Sequence, residues 1–237
     1  MIASVHVADI GPRAAIGVVR SAPKPASTPG LRQANVALTA PLSGSVRPSP
    51  DLGRAGLIAF WDDDAALDRF LAHHKMAATL AGGWRVRLEP LRLHGGWPGV
   101  PDDLPRARSV EHDGPAVVLT LGRVKLGRAL AFFRTSAKAE AAVIEAPGLI
   151  WTTGLAKPPF VATCSLWESA DALRAYAYGA QASDGDAPAH PGAIAADRAK
   201  GFHHQSAFIR FRPYASEGEL GGVNPLVESW MSRSGKS

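Results

Sequence analysis

"LIAFWDDDAALDRFLAHH", residues 57–74, runs from an apolar strand through Trp61 and a group of acids into an Ala/Leu-rich helix. "FVATCSLWESADALRAYAY", residues 160–178, does the same around Trp167. The two tryptophans stand 106 residues apart (167 − 61) in a chain of 237. A text repeated at that spacing predicts two copies of one structural unit.

The likeness extends outward from each Trp. Upstream, "TPGLRQANVALTAP" (28–41) faces "APGLIWTTGLAKPP" (146–159), and "SVHVADIGPRAAIGVVR" (4–20) faces "AVVLTLGRVKLGRALAFFR" (116–134). Downstream, "GGWRVRLEPLRLHGGWPG" (82–99) faces "KGFHHQSAFIRFRPYASEGELGG" (200–222). Alternation of Val86 and Leu88 with Arg85 and Arg87, and of Phe208 and Phe211 with Arg210 and Arg212, predicts strands with one solvated face. Ala170, Leu173 and Ala177 form one helical stripe, as do Ala66, Phe70 and Ala77 with Leu67 and Leu71.

Each unit therefore reads strand–helix–strand–strand–helix–strand, the ferredoxin-like βαββαβ pattern of an α+β fold. The first unit covers 1–97, a linker 98–114, the second unit 115–218 and a tail 219–237. Such a unit carries helices on one sheet face only, so its other face needs cover. Two units packed sheet to sheet give an α/β barrel of the dimeric type, in which each copy covers the other. Ligands in such a barrel lie between a sheet and its helices. Segments 21–30 and 42–56, rich in Pro, Ser and Gly, read as loops. "GAQASDGDAPAHPG" (179–192) has no counterpart in the first unit and reads as an inserted lid.

Composition narrows the function classes. Apolar residues make up 46% of the chain, with six Trp and eight Phe, enough for a proper core. The net charge of +5 admits an acidic partner, but the cations are scattered. The single Cys164, in an apolar strand, rules out an intramolecular disulfide and reads as a buried, inert thiol. The N-terminus carries Asp9 and Arg13 where a signal peptide is apolar, and no run of 18 apolar residues occurs. The expectation is a soluble, cytoplasmic protein with at most peripheral membrane contact. Self-association as a homodimer stays open.

"APAHPGAIAADRAKGF" (187–202) places His190 just before Pro191, which suits the first position of a helix. A helix N-terminus disfavours imidazolium, and neutral imidazole is the form that ligates metal. A surface histidine at a helix start is the competing reading. His73 and His74 lie on the first Trp-led helix, and His203 and His204 lead into the last strand. No zinc motif, P-loop, dinucleotide fingerprint or Gly-x-Ser-x-Gly elbow occurs. RNA-recognition modules share the βαββαβ pattern, but "KGFHHQSAFIRF" (200–211) is split by extra residues and lies on the last strand, so no nucleic-acid partner is expected.

"PPFVATCSLWESADALRAYAYG" (158–179), "AHPGAI" (189–194), "SAFIRFRPYASEGELGGVNPL" (206–226), "RVKLGRALAFF" (123–133) and "LEPLRLHGGWPG" (88–99) together resemble the spheroidene monooxygenase family. The resemblance spans roughly 56–226. The first 50 residues match poorly, and "FHHQSAF" (202–208) has His and Gln where the family has acids. That family oxygenates an acyclic carotenoid at a methylene position and is regarded as haem-dependent. The resemblance implies a haem b cofactor and a lipophilic, carotenoid-like substrate. It implies His190 as the iron ligand and Lys125, Arg198 and Arg210 as partners of the haem propionates. Trp151 or Phe133 would line the pocket, and no catalytic side chain is assigned. The alternatives are a cofactor-independent oxygenase on the same barrel and a haem- or lipid-binding protein without turnover.

Overall fold

Both tryptophans end a strand and both are fully buried. The computed structural model describes residues 1–42, 49–106, 112–178 and 201–227. The chain runs through β1 (Ile2–Asp9), α1 (Pro12–Arg20), β2 (Leu31–Ala40), β3 (Asp51–Trp61), α2 (Asp64–His73), α3 (Lys75–Leu80) and β4 (Trp84–Gly95). It continues through β5 (Ala116–Val124), α4 (Ala129–Ile144), β6 (Leu149–Lys157), β7 (Phe160–Trp167), α5 (Ala170–Tyr178) and β8 (His203–Glu217). A single turn of 3₁₀ helix, Leu126–Arg128, leads into α4.

The strand order is β1-β3-β2-β6-β7-β5-β8-β4, closed into a barrel with every pairing antiparallel. The first half contributes β4-β1-β3-β2 and the second β8-β5-β7-β6, the same internal order twice. The halves face each other across a shared interior, as their sequence predicts, and β2–β6 and β4–β8 pairing also joins them at both edges. The β2–β6 seam closes the ring through three residue pairs, Leu38–Ala156, Thr39–Leu155 and Ala40–Gly154.

Strand parity decides what goes inside. On β1, Ala3, Val5 and Val7 point into the barrel, while Ser4, His6 and Ala8 face the helices. Ile58, Phe60, Val86, Leu88, Leu119, Ile209 and Phe211 complete an apolar interior drawn from both halves. Gly56 belongs to it: a Cβ there would come within 2.5 Å of Leu155 Cδ2, a side chain of the other half. Cys164 also lies inside, and burial pushes its thiol up to about 12, so it stays protonated and unreactive.

Three expectations change. Residues 51–56 are the start of β3 and not loop. Phe208 and Phe211 do not share a face: Phe211 enters the barrel, and Phe208 lies on the helix side with Arg210. Residues three apart on a regular strand point to opposite faces, so the predicted pairing could not hold. His74 is not within a helix: it ends α2, and its Nδ1 accepts the Met76 N–H at 3.1 Å to start α3. Trp97 and Val100, after β4, and Leu226, after β8, pack into the barrel core.

The Asp63 carboxylate caps α2 by accepting the Ala66 N–H at 2.8 Å. Asp63→Ala is expected to cost about 1 kcal/mol in urea unfolding, with an unchanged m-value. A change within error would mean that water replaces the cap.

The first half's helix layer also holds a buried polar chain. Ser4 Oγ accepts the Trp61 indole N–H at 2.9 Å and lies 3.1 Å from His6 Nε2. Burial, then Arg85, then Arg87, hold the His6 imidazole down to about 3. Its folded value lies below the unfolded value of 6.5, so His6 supports the fold fully above pH 6.5. That support drains away as pH falls from 6.5 toward 3. At pH 4.5 the loss is roughly 2–3 kcal/mol. His6→Asn should flatten this part of the stability profile relative to the parent chain. Parallel profiles from pH 4 to pH 7 would contradict the assignment.

Candidate functional site: a hollow in the second half

The strand registers give the equivalences between halves. Ile2 faces Trp61 as Ala116 faces Trp167, so β5 follows β1 with an offset of 114 (116 − 2). Val36 faces Leu57 as Gly154 faces Thr163, so β6 follows β2 with an offset of 118 (154 − 36). His6 faces Arg85 as Thr120 faces Phe208, so β8 follows β4 with an offset of 123 (208 − 85). β7 and α5 follow β3 and α2 with the tryptophan offset of 106.

On the helix side of the first sheet, Ala8, Val36, Leu57, Leu67, Phe70 and their neighbours form a continuous buried cluster. The second half replaces these fillers one by one. Leu57 becomes Thr163, Val36 becomes Gly154, His6 becomes Thr120, Ala8 becomes Gly122 and Leu71 becomes Ala177. Trp167 and Leu173 keep the places of Trp61 and Leu67, and with Ala116 and Val143 they form only a small cluster.

What remains is a cavity of about 240 Å³ between the second sheet and helices α4 and α5. Its walls are largely apolar, with Phe132, Phe133, Phe202 and Phe208 on one side and Trp167 and Tyr176 on another. Thr120, Thr163, Ser165 and Ser206 supply a few hydroxyls from the sheet. Small side chains on the strands, among them Thr120, Gly122, Gly154 and Thr163, leave a slot with an aromatic wall. Tyr176 stacks on Trp167 with ring centroids 5.0 Å apart, and burial pushes its phenol up to about 12. The Trp167 indole N–H is already used, donating to Ser165 Oγ at 2.9 Å.

One described histidine lines this cavity. His203, at the start of β8, meets the Phe132 ring edge-on at 4.9 Å. A Cβ on Gly122 would come within 2.7 Å of the imidazole, so the absent side chain is what lets the ring lie against β5. His204, the next residue, is exposed. Among the described residues no three His, Cys, Asp or Glu side chains gather into a metal cage.

The other expected site residues are placed as follows. His190 and Arg198 lie outside the described residues, as does the expected lid at 179–192. Phe133 lines the cavity, but Trp151 does not: it packs on Trp84 with centroids 4.9 Å apart, against the barrel core. Lys125 precedes the 3₁₀ turn, donates its backbone N–H to the Phe202 carbonyl at 2.8 Å and holds Nζ near Gly201. Arg210 is not solvated: it is 7% exposed, on the helix side of β8 two residues beyond Phe208.

Arg210 occupies the place of Arg87 (210 − 87 = 123). Arg87 bonds Asp64 and Asp68 of α2 at 2.7 and 2.5 Å, and Tyr214 also donates to Asp64. Burial raises the Asp64 carboxyl, but the hydrogen bonds from Arg87 and Tyr214 outweigh it and hold the group low. The equivalent positions on α5 are Ala170 and Arg174, so Arg210 answers to different surroundings. Sequence reading missed the hollow itself and the part played by Gly122, Thr163 and Gly154.

No protein-family model matches the chain. It is 30% identical over 175 residues to a spheroidene monooxygenase of Rubrivivax gelatinosus, covering 71% of this chain and 64% of that one. It is 29% identical over 193 residues to the spheroidene monooxygenase of Rhodobacter capsulatus, covering 78% of this chain and 77% of that one. The match thus spans just under two thirds of the Rubrivivax protein. Among solved structures, an aldoxime dehydratase superposes with a TM-score of 0.53 over 90% of this chain and 80% of the other, at 12% identity, which is a likeness of fold. The sequence is similar to those of the spheroidene monooxygenases.

Proposed function

We propose that the chain is a monooxygenase acting on an apolar, carotenoid-like substrate, with a haem in the second half. The observation that carries this reading is the emptied sheet–helix layer, apolar and aromatic, where the duplicate layer is filled. The relatives are named as monooxygenases of spheroidene, which is the chemistry such a slot suits.

The lining offers the kinds of group a haem would call on. The cavity is apolar, one imidazole reaches it, and a buried guanidinium stands one strand step beyond. Haem would supply the activation of oxygen, which no side chain performs alone. The chain's own part is to bind, orient and dry the site. Phe132, Phe133, Phe202 and Phe208 exclude water from the slot. In this reading His190 would hold the iron, and Lys125, Arg198 and Arg210 would pair with the propionates. His203 is the described imidazole that faces the cavity. An apolar pocket strengthens each charged contact at its rim.

The test is a haem titration followed by visible absorption. The parent chain should develop a Soret band. His190→Ala should lose or shift it while circular dichroism stays unchanged. A normal band in His190→Ala and a lost one in His203→Ala would move the ligand to His203. No band in the parent chain at saturating haem would remove the cofactor from this reading.

A further inference from the structure

We propose that the start of α4 docks the protein on an anionic lipid bilayer. The inference rests on the apolar substrate just argued, which a bilayer would hold. Leu126 and Leu130 are 68% and 59% exposed, among the most exposed large apolar side chains described. They stand one helical turn apart, in the 3₁₀ turn and the first turn of α4. Between Asp113 and Glu140 the chain carries Arg123, Lys125, Arg128, Arg134 and Lys138 and no acid. Arg128 and Arg134 are exposed and are the cations offered to headgroups; Arg123 lies over the Trp97 ring at 5.5 Å, and Lys125 is kept for the haem reading.

Two apolar tips set among cations match a membrane interface. The leucines enter the acyl boundary and the cations meet anionic headgroups. Nucleic acid or an acidic protein would answer the cations but leave both leucines in water. Among the described residues no helix is long and apolar enough to cross a membrane, so attachment by this element would be peripheral. The same helix carries Phe132 and Phe133 on the cavity wall. One element therefore offers a lipid-facing tip and, within seven residues, a wall of the slot. A guest leaving the bilayer has the shortest protein path where these meet.

The experiment is co-sedimentation of the full chain with vesicles of phosphatidylcholine, alone or mixed in equal parts with phosphatidylglycerol. The chain should bind the mixed vesicles at low salt, release at high salt, and ignore phosphatidylcholine. Leu126→Asp with Leu130→Asp should lower partitioning at least about tenfold, since two inserted side chains are lost. Arg128→Glu with Arg134→Glu should remove the salt dependence. Ile16→Asp, an exposed apolar position on α1, should change nothing. Urea unfolding of each variant separates lost docking from lost fold. Binding of the double Asp variant at the parent's level, or no binding by the parent, overturns the proposal. Capture by heparin without vesicle binding also overturns it, in favour of a polyanion partner. Haem spectra of the same proteins in detergent keep the two readings apart: vesicle binding without a Soret band leaves docking standing and the haem reading fallen, and the reverse pattern does the opposite.

Discussion

Leu57→Ala is expected to destabilise the protein by about 3 kcal/mol, and Thr163→Ala, at the equivalent position of the second half, by under ~1 kcal/mol. Leu57 is fully buried in the continuous cluster under α2, between Val36 on one strand and His6 on another. Removing its side chain leaves a void that close-packed neighbours fill poorly. Thr163 borders a cavity that already exists, so its truncation enlarges a hollow and opens no new one. Urea unfolding with matched m-values measures both. Equal losses would mean that the two layers are packed alike, and the asymmetry on which the candidate site stands would fail.

That asymmetry was legible in the sequence, but only after the duplication had been read to single-residue register. The strand–Trp–acid–helix text announces the repeat, and the tryptophan pair fixes the offset of its central strands. Trp61 and Trp167 then stand in equivalent registers, with Leu67 and Leu173 both buried on the helices that follow. Aligning the flanks with the same care shows Thr163 under Leu57 and Gly154 under Val36. Reading every apolar stripe as core hid this, because a stripe identifies which face is inward and not whether the space behind it is full. The faces of β8 went astray for a simpler reason: Phe208 and Phe211 are both aromatic, and residue type was weighed above strand parity. Arg210 shows the other limit. A cation on an alternating strand reads as solvated, yet here the exposed side of the sheet is roofed by helices, so its alternate residues are buried as well. His203 could be read only in the structure, since its place beside β5 depends on Gly122, distant in sequence and adjacent in register.

Filling the second half to match the first should weaken ligand binding strongly and leave the fold in place. Thr163→Leu with Ala177→Leu restores the residue types found at Leu57 and Leu71. Both positions line the cavity. Gly154 is unsuitable for the purpose, because a Cβ there would meet the Ala40 carbonyl oxygen at 2.9 Å. The pair adds about four carbon positions inside the slot, each worth ~0.8 kcal/mol to a guest displaced from it. The sum, about 3 kcal/mol, corresponds to roughly a two-hundredfold loss of affinity for an apolar ligand. Stability should hold or rise, because apolar surface that now borders a void gains a neighbour. Haem titration by absorption and titration with an environment-sensitive apolar dye read the two kinds of guest separately, and unfolding reads the fold. Ala177→Leu alone serves where the pair overpacks, with a proportionately smaller loss expected. If haem affinity stays at the parent's level while the dye is excluded, the cavity is a substrate slot and the haem site lies elsewhere. If both bind as before in a folded variant, the hollow between β7 and the helices is not a ligand site, and the function proposed from it fails.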